Sequence, residues 1–173
     1  AEAAAVEAEC NGRLWFQLDR GYDCSAMLEH MGTSKNRFTI RGEYNRALWC
    51  DDKANEVHRT VQQALAAAPV LSTMTVHVDK GTSRTERDAL LTVKAVEVEV
   101  RLTDKSKRTS VRGSDGKKRK VAKRWPRTLT ALQVTESDTT PAGEAPLNWM
   151  LWVNAPVSSA DEAELEIGRA SCR

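Results

Sequence analysis

Leu91-Thr92-Val93-Lys94-Ala95-Val96-Glu97-Val98-Glu99-Val100-Arg101-Leu102 alternates apolar and polar residues, the period of a β-strand with one buried face. Leu91 and Val93 fall on one parity, while Val96, Val98, Val100 and Leu102 fall on the other. A change of buried parity within one strand predicts a bulge or tight turn at Ala95. Just upstream, Met74, Val76 and Val78 alternate with Thr73, Thr75 and His77, and residues 128–134 form a further β-rich stretch. Residues 69–140 therefore read as a β-rich block.

The flanks have a different character. Leu14-Trp15-Phe16-Gln17-Leu18 is a short apolar run that ends on Asp19 and is followed by Arg20-Gly21-Tyr22-Asp23. A buried strand that carries an acid to its C-terminal tip, with a helix start behind it, is how an α/β sheet presents a metal-binding carboxylate. Asp23 is placed to cap a helix over residues 24–31, and Arg37-Phe38-Thr39-Ile40-Arg41 is a second strand. The three elements make a β-α-β unit with parallel strands. Val57, Val61, Ala64, Leu65 and Ala68 have helical spacing, and Pro69 ends that helix. Leu147-Asn148-Trp149-Met150-Leu151-Trp152-Val153 returns to a core-strand pattern, and Ser159 with Glu162 makes a capping box. The expected fold class is α/β, with β-α-β and a later strand and helix start, interrupted by the β-rich insertion.

The chain has 173 residues and a net charge of +2, so total charge singles out no partner. Cysteines at 10, 24, 50 and 172 lack the paired spacing of a zinc site, and reduced thiols are expected. No apolar run approaches a membrane span, and the first ten residues lack a signal-peptide pattern. A chain that opens on Ala1 rather than Met, close to a core strand, reads as an internal fragment. Ile167-Gly168-Arg169-Ala170-Ser171-Cys172-Arg173 has neither helical nor strand period. Its reverse translation ATCGGAAGAGCGTCGTGTAGG resembles a sequencing adaptor, so residues 166–173 are expected to be a non-native tail.

Charge is concentrated in one segment. Residues 105–127 hold eleven Lys or Arg against a single acid, Asp115, with Gly113, Ser114 and Gly116 marking a loop. Lys117, Lys118, Arg119, Lys120, Lys123 and Arg124 are its densest part, and such a loop neutralises phosphates by releasing their counterions. The plainer reading is a solvated hairpin tip.

Together these motifs resemble those of bacterial DDE transposases of the fourth insertion-sequence family, the Tn-five-like enzymes. Asp19-Arg20-Gly21-Tyr22-Asp23 resembles the family's D-R-x-x-D stretch, and Arg37-Phe38-Thr39-Ile40-Arg41 its R-F-V-V-R strand. Pro69-Val70-Leu71 resembles the entry to its β-rich insertion. Pro146-Leu147-Asn148-Trp149-Met150-Leu151-Trp152 with Pro156-Val157 resembles P-L-x-W-x-L-x-T-x-x-P-V. The likeness spans residues 9–163. It implies a partial ribonuclease H-like core in residues 9–68 and 141–165, split by the insertion at 69–140.

The same resemblance implies that Asp19 is the second of three catalytic carboxylates, holding Mg²⁺ or Mn²⁺ in the intact parent. It implies that Arg41 contacts DNA phosphate, and that Trp149 stacks a flipped base. The implied partner is double-stranded DNA at transposon ends, with a parent dimeric on DNA, in a bacterial cytoplasm and without membrane or small-molecule substrate. The family's other two acids have no counterpart here, so the fragment itself is expected to be inactive. Two alternatives stay open: a non-enzymatic DNA-binding β-module, and another ribonuclease H-like nuclease. Each residue has a plainer role too: Asp19 as a cap or partner of Arg20, Arg41 as partner of Glu43, Trp149 as core.

Overall fold

A computed structural model describes residues 14–49, 60–82, 84–112, 116–137 and 140–171. Six strands form one sheet in the order β1-β2-β6-β5-β4-β3. They are β1 (Trp15–Leu18), β2 (Arg37–Gly42), β3 (Val70–Val78), β4 (Arg87–Arg112), β5 (Lys118–Glu136) and β6 (Asn148–Val153). Three helices pack on it: α1 (Ser25–Thr33), α2 (Val61–Ala67) and α3 (Ala160–Ser171). Among the described residues no helix is long and apolar enough to cross a membrane.

The expected β-α-β unit forms: β1 and β2 are parallel, with Phe16 opposite Phe38 and their rings stacked 4.8 Å apart. The expected fold class does not hold. Among the described residues strand accounts for 54% and helix for 20%, in a curled, mixed half-barrel sheet, so the fold is β-rich rather than α/β and ribonuclease H-like. The reason lies in the long strands. β6 returns antiparallel between β2 and β5, pairing Trp152 with Ile40 on one side and with Ala131 on the other. The β-rich stretch thus continues the same sheet, and β1 with β2 is the one parallel pair among the named strands.

The change of parity in β4 also has another cause than a bulge. The β4–β5 ladder runs unbroken through Lys94↔Gln133, Ala95↔Leu132 and Val96↔Ala131. Leu91 and Val93 face a core shared with Leu132, Val134, Leu151 and the α3 residues Ala163 and Ile167. Val98, Val100 and Leu102 face a second core, with Leu28 and Met31 of α1, Val61 and Leu65 of α2, and Trp152. The two faces of one regular strand are buried at different points along its length. The register irregularity falls instead between Asp104 and Arg108.

Local chemistry closes the helices. Thr60 and Gln63 make a reciprocal capping box at α2. At α3 the expected box forms: Glu162 Oε2 accepts from the N–H groups of Ser158 and Ser159, at 2.8 and 3.1 Å, and Ser159 Oγ accepts from Glu162 N at 3.2 Å. These bonds hold the Glu162 carboxyl below its ordinary range, the Ser158 backbone N–H first among them. The helix continues through the stretch that lacked visible period, because Glu166 and Ile167 are fully buried one turn past Ala163. Glu166 accepts from Arg37 Nε at 2.7 Å and from the Thr39 hydroxyl, and Arg37 lies 4.3 Å from the centre of the Trp15 ring. The expected cap at α1 is not made: Cys24 is the N-cap and Asp23 is engaged elsewhere. Cys10, Cys50, Cys172 and Val57 lie outside the described residues.

Glu166→Ala leaves Arg37 and Thr39 without their buried acceptor. It should lower stability by about 3 kcal/mol in denaturant unfolding, because removing one partner of a buried pair exposes the full desolvation cost of the other. A second expectation concerns the β3–β4 hairpin. His77 Nδ1 lies 2.8 Å from Asp88 Oδ1, with Asp79 and Glu86 further off, and the Asp88 hydrogen bond raises the imidazole pKa against the opposing effect of desolvation. The hairpin gain from this ion pair is complete below the ordinary imidazole range and is lost as pH rises through the elevated pKa. NMR titration of Asp88→Asn should return His77 towards the ordinary value.

Candidate nucleic-acid interface

Asp19 stands where β1 ends, and its Oδ1 accepts from Arg20 N at 2.7 Å, capping a single turn over Arg20–Tyr22. It is exposed. Two strands away, Trp149 of β6 meets Arg41 at the end of β2, the guanidinium carbon lying 5.3 Å from the ring centre. Both side chains line a cavity of about 250 Å³ with Arg20, Tyr44, Gln133 and Asn148. Gly42 lies close under the end of Met150, where a Cβ would come within 2.5 Å of its Cε and 3.1 Å of Trp152 Nε1, so a larger residue there would make the Met150 side chain shift.

Two polar networks hold the neighbouring segments, the first of which supplies Glu43 and Tyr44 to the lining. Asp23 is buried and accepts from the N–H groups of Glu43 and Tyr44, at 2.8 and 3.1 Å, and from Arg46 Nε at 2.8 Å. Arg46 also donates to the Asp23 carbonyl at 2.6 Å. This lock fixes the bend after β2 and leaves Tyr44 exposed at the cavity edge. In the second network Arg87 bridges Glu136 and Glu144, at 2.9 and 2.7 Å, while Glu136 accepts from Leu147 N and Glu144 from Thr85 N, both at 2.8 Å. Hydrogen bonding from Arg87 holds the Glu136 carboxyl below its ordinary range, so the bridge stays ionised. It ties the turn holding Arg84 to the chain that enters β6.

Arg20, Arg41 and Glu43 are the charged residues that line the cleft. The Arg41 pKa is lowered by burial first, then by repulsion from Arg20 and Arg84, with Asp19 opposing. Arg20, Arg41 and Arg84 come from the turn after β1, from β2 and from the β3–β4 connection, and their charges act on one spot. Arg84 and Tyr44 carried no signal in the sequence, because a turn residue and an exposed tyrosine have no period to mark them.

The implied Mg²⁺ or Mn²⁺ does not fit the residues present. Asp19 is one carboxylate already accepting a backbone hydrogen bond, and among the described residues no three His, Cys, Asp or Glu side chains are grouped to hold a metal ion. A hard divalent cation takes six or more oxygen ligands, usually with more than one carboxylate where the protein supplies the charge.

The basic segment is not a loop. β4 runs to Arg112 and β5 starts at Lys118, so most of residues 105–127 form the arms of a long antiparallel ribbon. Asp104 Oδ1 accepts from Ser106 N at 2.8 Å and from Lys107 N at 3.3 Å, and thereby organises the irregular step in β4. Lys118, Lys120, Lys123 and Arg124 are exposed. Arg119 pairs with Val111, and its side chain lies outside the described set. Trp125 donates to Glu29 of α1 at 2.6 Å, and Arg127 donates to both oxygens of the same carboxylate.

No protein-family model and no curated protein matches the chain.

Asp23→Ala removes an acceptor used by two backbone N–H groups and by Arg46, whose side chain is 13% exposed. It should cost about 3–5 kcal/mol in equilibrium unfolding. Arg46→Lys, which keeps the charge but loses the fork, should cost less.

Proposed function

We propose that this chain contacts DNA through the cleft of Arg20, Arg41 and Trp149, as part of the DNA-handling body of a cut-and-paste transposase. The observation that carries the DNA contact is the pairing of Arg41 with the Trp149 ring inside a pocket that Arg20 also lines. Guanidinium groups bind phosphate oxygens, and an indole face beside them takes a base of any identity. The transposase ancestry rests on the order and spacing of the motifs from Asp19 to Val157. Double-stranded transposon ends, a parent dimeric on DNA and a bacterial cytoplasmic setting follow from that ancestry.

Strand cleavage is not assigned to this chain. Asp19 brings one carboxylate to the cleft mouth, and metal-dependent phosphoryl transfer needs several converging there. The basic ribbon favours a second reading, a non-enzymatic DNA-binding module, which shares the same contacts without the ancestry.

Fluorescence anisotropy with labelled duplexes tests the contact. Arg41→Ala should weaken binding about tenfold at about 50 mM salt, in line with a charge-assisted phosphate contact. Trp149→Ala should weaken a duplex with an unpaired terminal base by about 1–3 kcal/mol and leave a fully paired duplex nearly unchanged. Asp19→Ala should bind as well as the parent. Loss of neither affinity in the Arg41 and Trp149 variants overturns the cleft reading. Metal-dependent nicking that disappears in Asp19→Ala overturns the assignment of contact without cleavage.

A further inference from the structure

The β4–β5 register sorts the cations of the ribbon by face. Directly opposed residues of an antiparallel pair share a face, and successive residues alternate. Arg112↔Lys118, Ser110↔Lys120 and Arg108↔Ala122 lie on one face; beyond the irregular step, Thr103↔Arg124 and Arg101↔Pro126 continue it. These ten positions hold six cations, Arg101, Arg108, Arg112, Lys118, Lys120 and Arg124, all exposed, and no acid. Arg108 Nε donates to the Lys105 carbonyl at 3.3 Å, a bond that leaves its charge in place. Glu99, opposite Thr128, and Glu97, opposite Thr130, end the basic stripe at the base of the ribbon. The other face carries Leu102, Asp104, Lys123, Trp125 and Arg127, and turns towards Glu29 of α1.

We propose that this outward face of the ribbon docks along the major groove of B-form duplex DNA and neutralises phosphates on both sides of it. The inference rests on the reading of the chain as a DNA-contacting protein and adds a second surface to it. Three features carry it. The first is sign: six cations without an acid on a regular face match a polyanion. The second is width: two strands about 4.8 Å apart make a ribbon that a groove about 12 Å wide admits. The third is length: Lys118 to Arg124 spans about 20 Å at about 3.3 Å per residue, about six base-pair steps.

The same features argue against other polyanions. The A-form major groove of duplex RNA is too deep and narrow for such a ribbon. An anionic membrane surface is held most firmly when apolar side chains enter it, and this face offers only Ala122 and Pro126. Ser110 and Thr103 are its sole neutral polar residues, so binding should depend little on sequence.

Neighbouring residues on opposite faces give the test. Arg124→Glu and Lys123→Glu make the same charge change, one on the basic face and one beside the Trp125 ring. In anisotropy titrations of the full chain with a labelled duplex, Arg124→Glu and Lys120→Glu should each weaken binding about tenfold or more. Each should also flatten the slope of log K against log salt by about 0.9 or more. Lys123→Glu should change both much less. Glucosyl groups projecting into the major groove should block the parent, and duplex RNA or phosphatidylserine vesicles should compete poorly. Equal effects of Arg124→Glu and Lys123→Glu, unimpaired binding to the glucosylated duplex, or stronger competition by RNA or vesicles overturns the proposal. Circular dichroism confirms that the exposed variants fold. Arg41→Ala, measured in parallel, separates the two surfaces: if it weakens binding while Arg124→Glu does not, the ribbon proposal fails and the cleft reading stands.

Discussion

The antiparallel ladder between β4 and β5 is the constraint on which the other elements depend. It holds one register from Leu91↔Glu136 to Asp104↔Lys123, long enough to serve two cores in turn. Near its base one face is covered by α3, with β6 beside β5 in the same sheet; further along, the opposite face is covered by α1 and α2. Burying apolar side chains on alternate faces fixes the register twice over, since a slip of one residue would expose both sets. Past Leu102 the buried apolar positions of β4 stop and the ladder leaves the body of the sheet.

Much of this was legible in residue order. Strand β2, the alternation of β3, the end of α2 before Pro69 and the capping box at Ser159 each rest on local chemistry, which acts before any tertiary contact forms. The fold class was not legible for a related reason. A β-α-β signal at residues 15–41 is real, but it says nothing of which strand lies on the other side of β2. That place is taken by β6, more than a hundred residues away, because Met150 and Trp152 pack on one face while Leu151 and Val153 pack on the other. Parity alone could not separate a bulge at Ala95 from a regular strand that changes layers. The two predict the same pattern of residues and differ only in the partner ladder.

The cleft shows a similar division. Asp19, Arg41 and Trp149 were marked by motif, and the sheet brings Arg41 and Trp149 into contact because β2 and β6 are neighbours. The residues that shape the pocket were hidden. Asp23 reads as a helix cap in sequence, yet its carboxylate is better satisfied by Arg46 and two backbone N–H groups than by one N–H of α1. That exchange places Tyr44. The Arg87–Glu136–Glu144 bridge does the same for Arg84, and Arg87 lies 49 and 57 residues from its two partners in the chain.

The basic segment shows how secondary structure changes what a charge run means. Read as a loop, its cations form a diffuse cloud in which each lysine is equivalent. In a ribbon they are divided by pleat. Lys118, Lys120 and Arg124 join Arg101, Arg108 and Arg112 across the ladder, while Arg127 is drawn into an ion pair with Glu29 and Lys123 lies 5.9 Å from the Trp125 ring centre. The even spacing of 118, 120 and 124 was already a strand period in the sequence, concealed because the interleaved residues include further cations. Charge density therefore marks the segment, but the ladder sets which charges share a face. The contact between Trp125, Arg127 and α1 then anchors the root of the ribbon, so the basic face is presented in a fixed direction relative to the two cores.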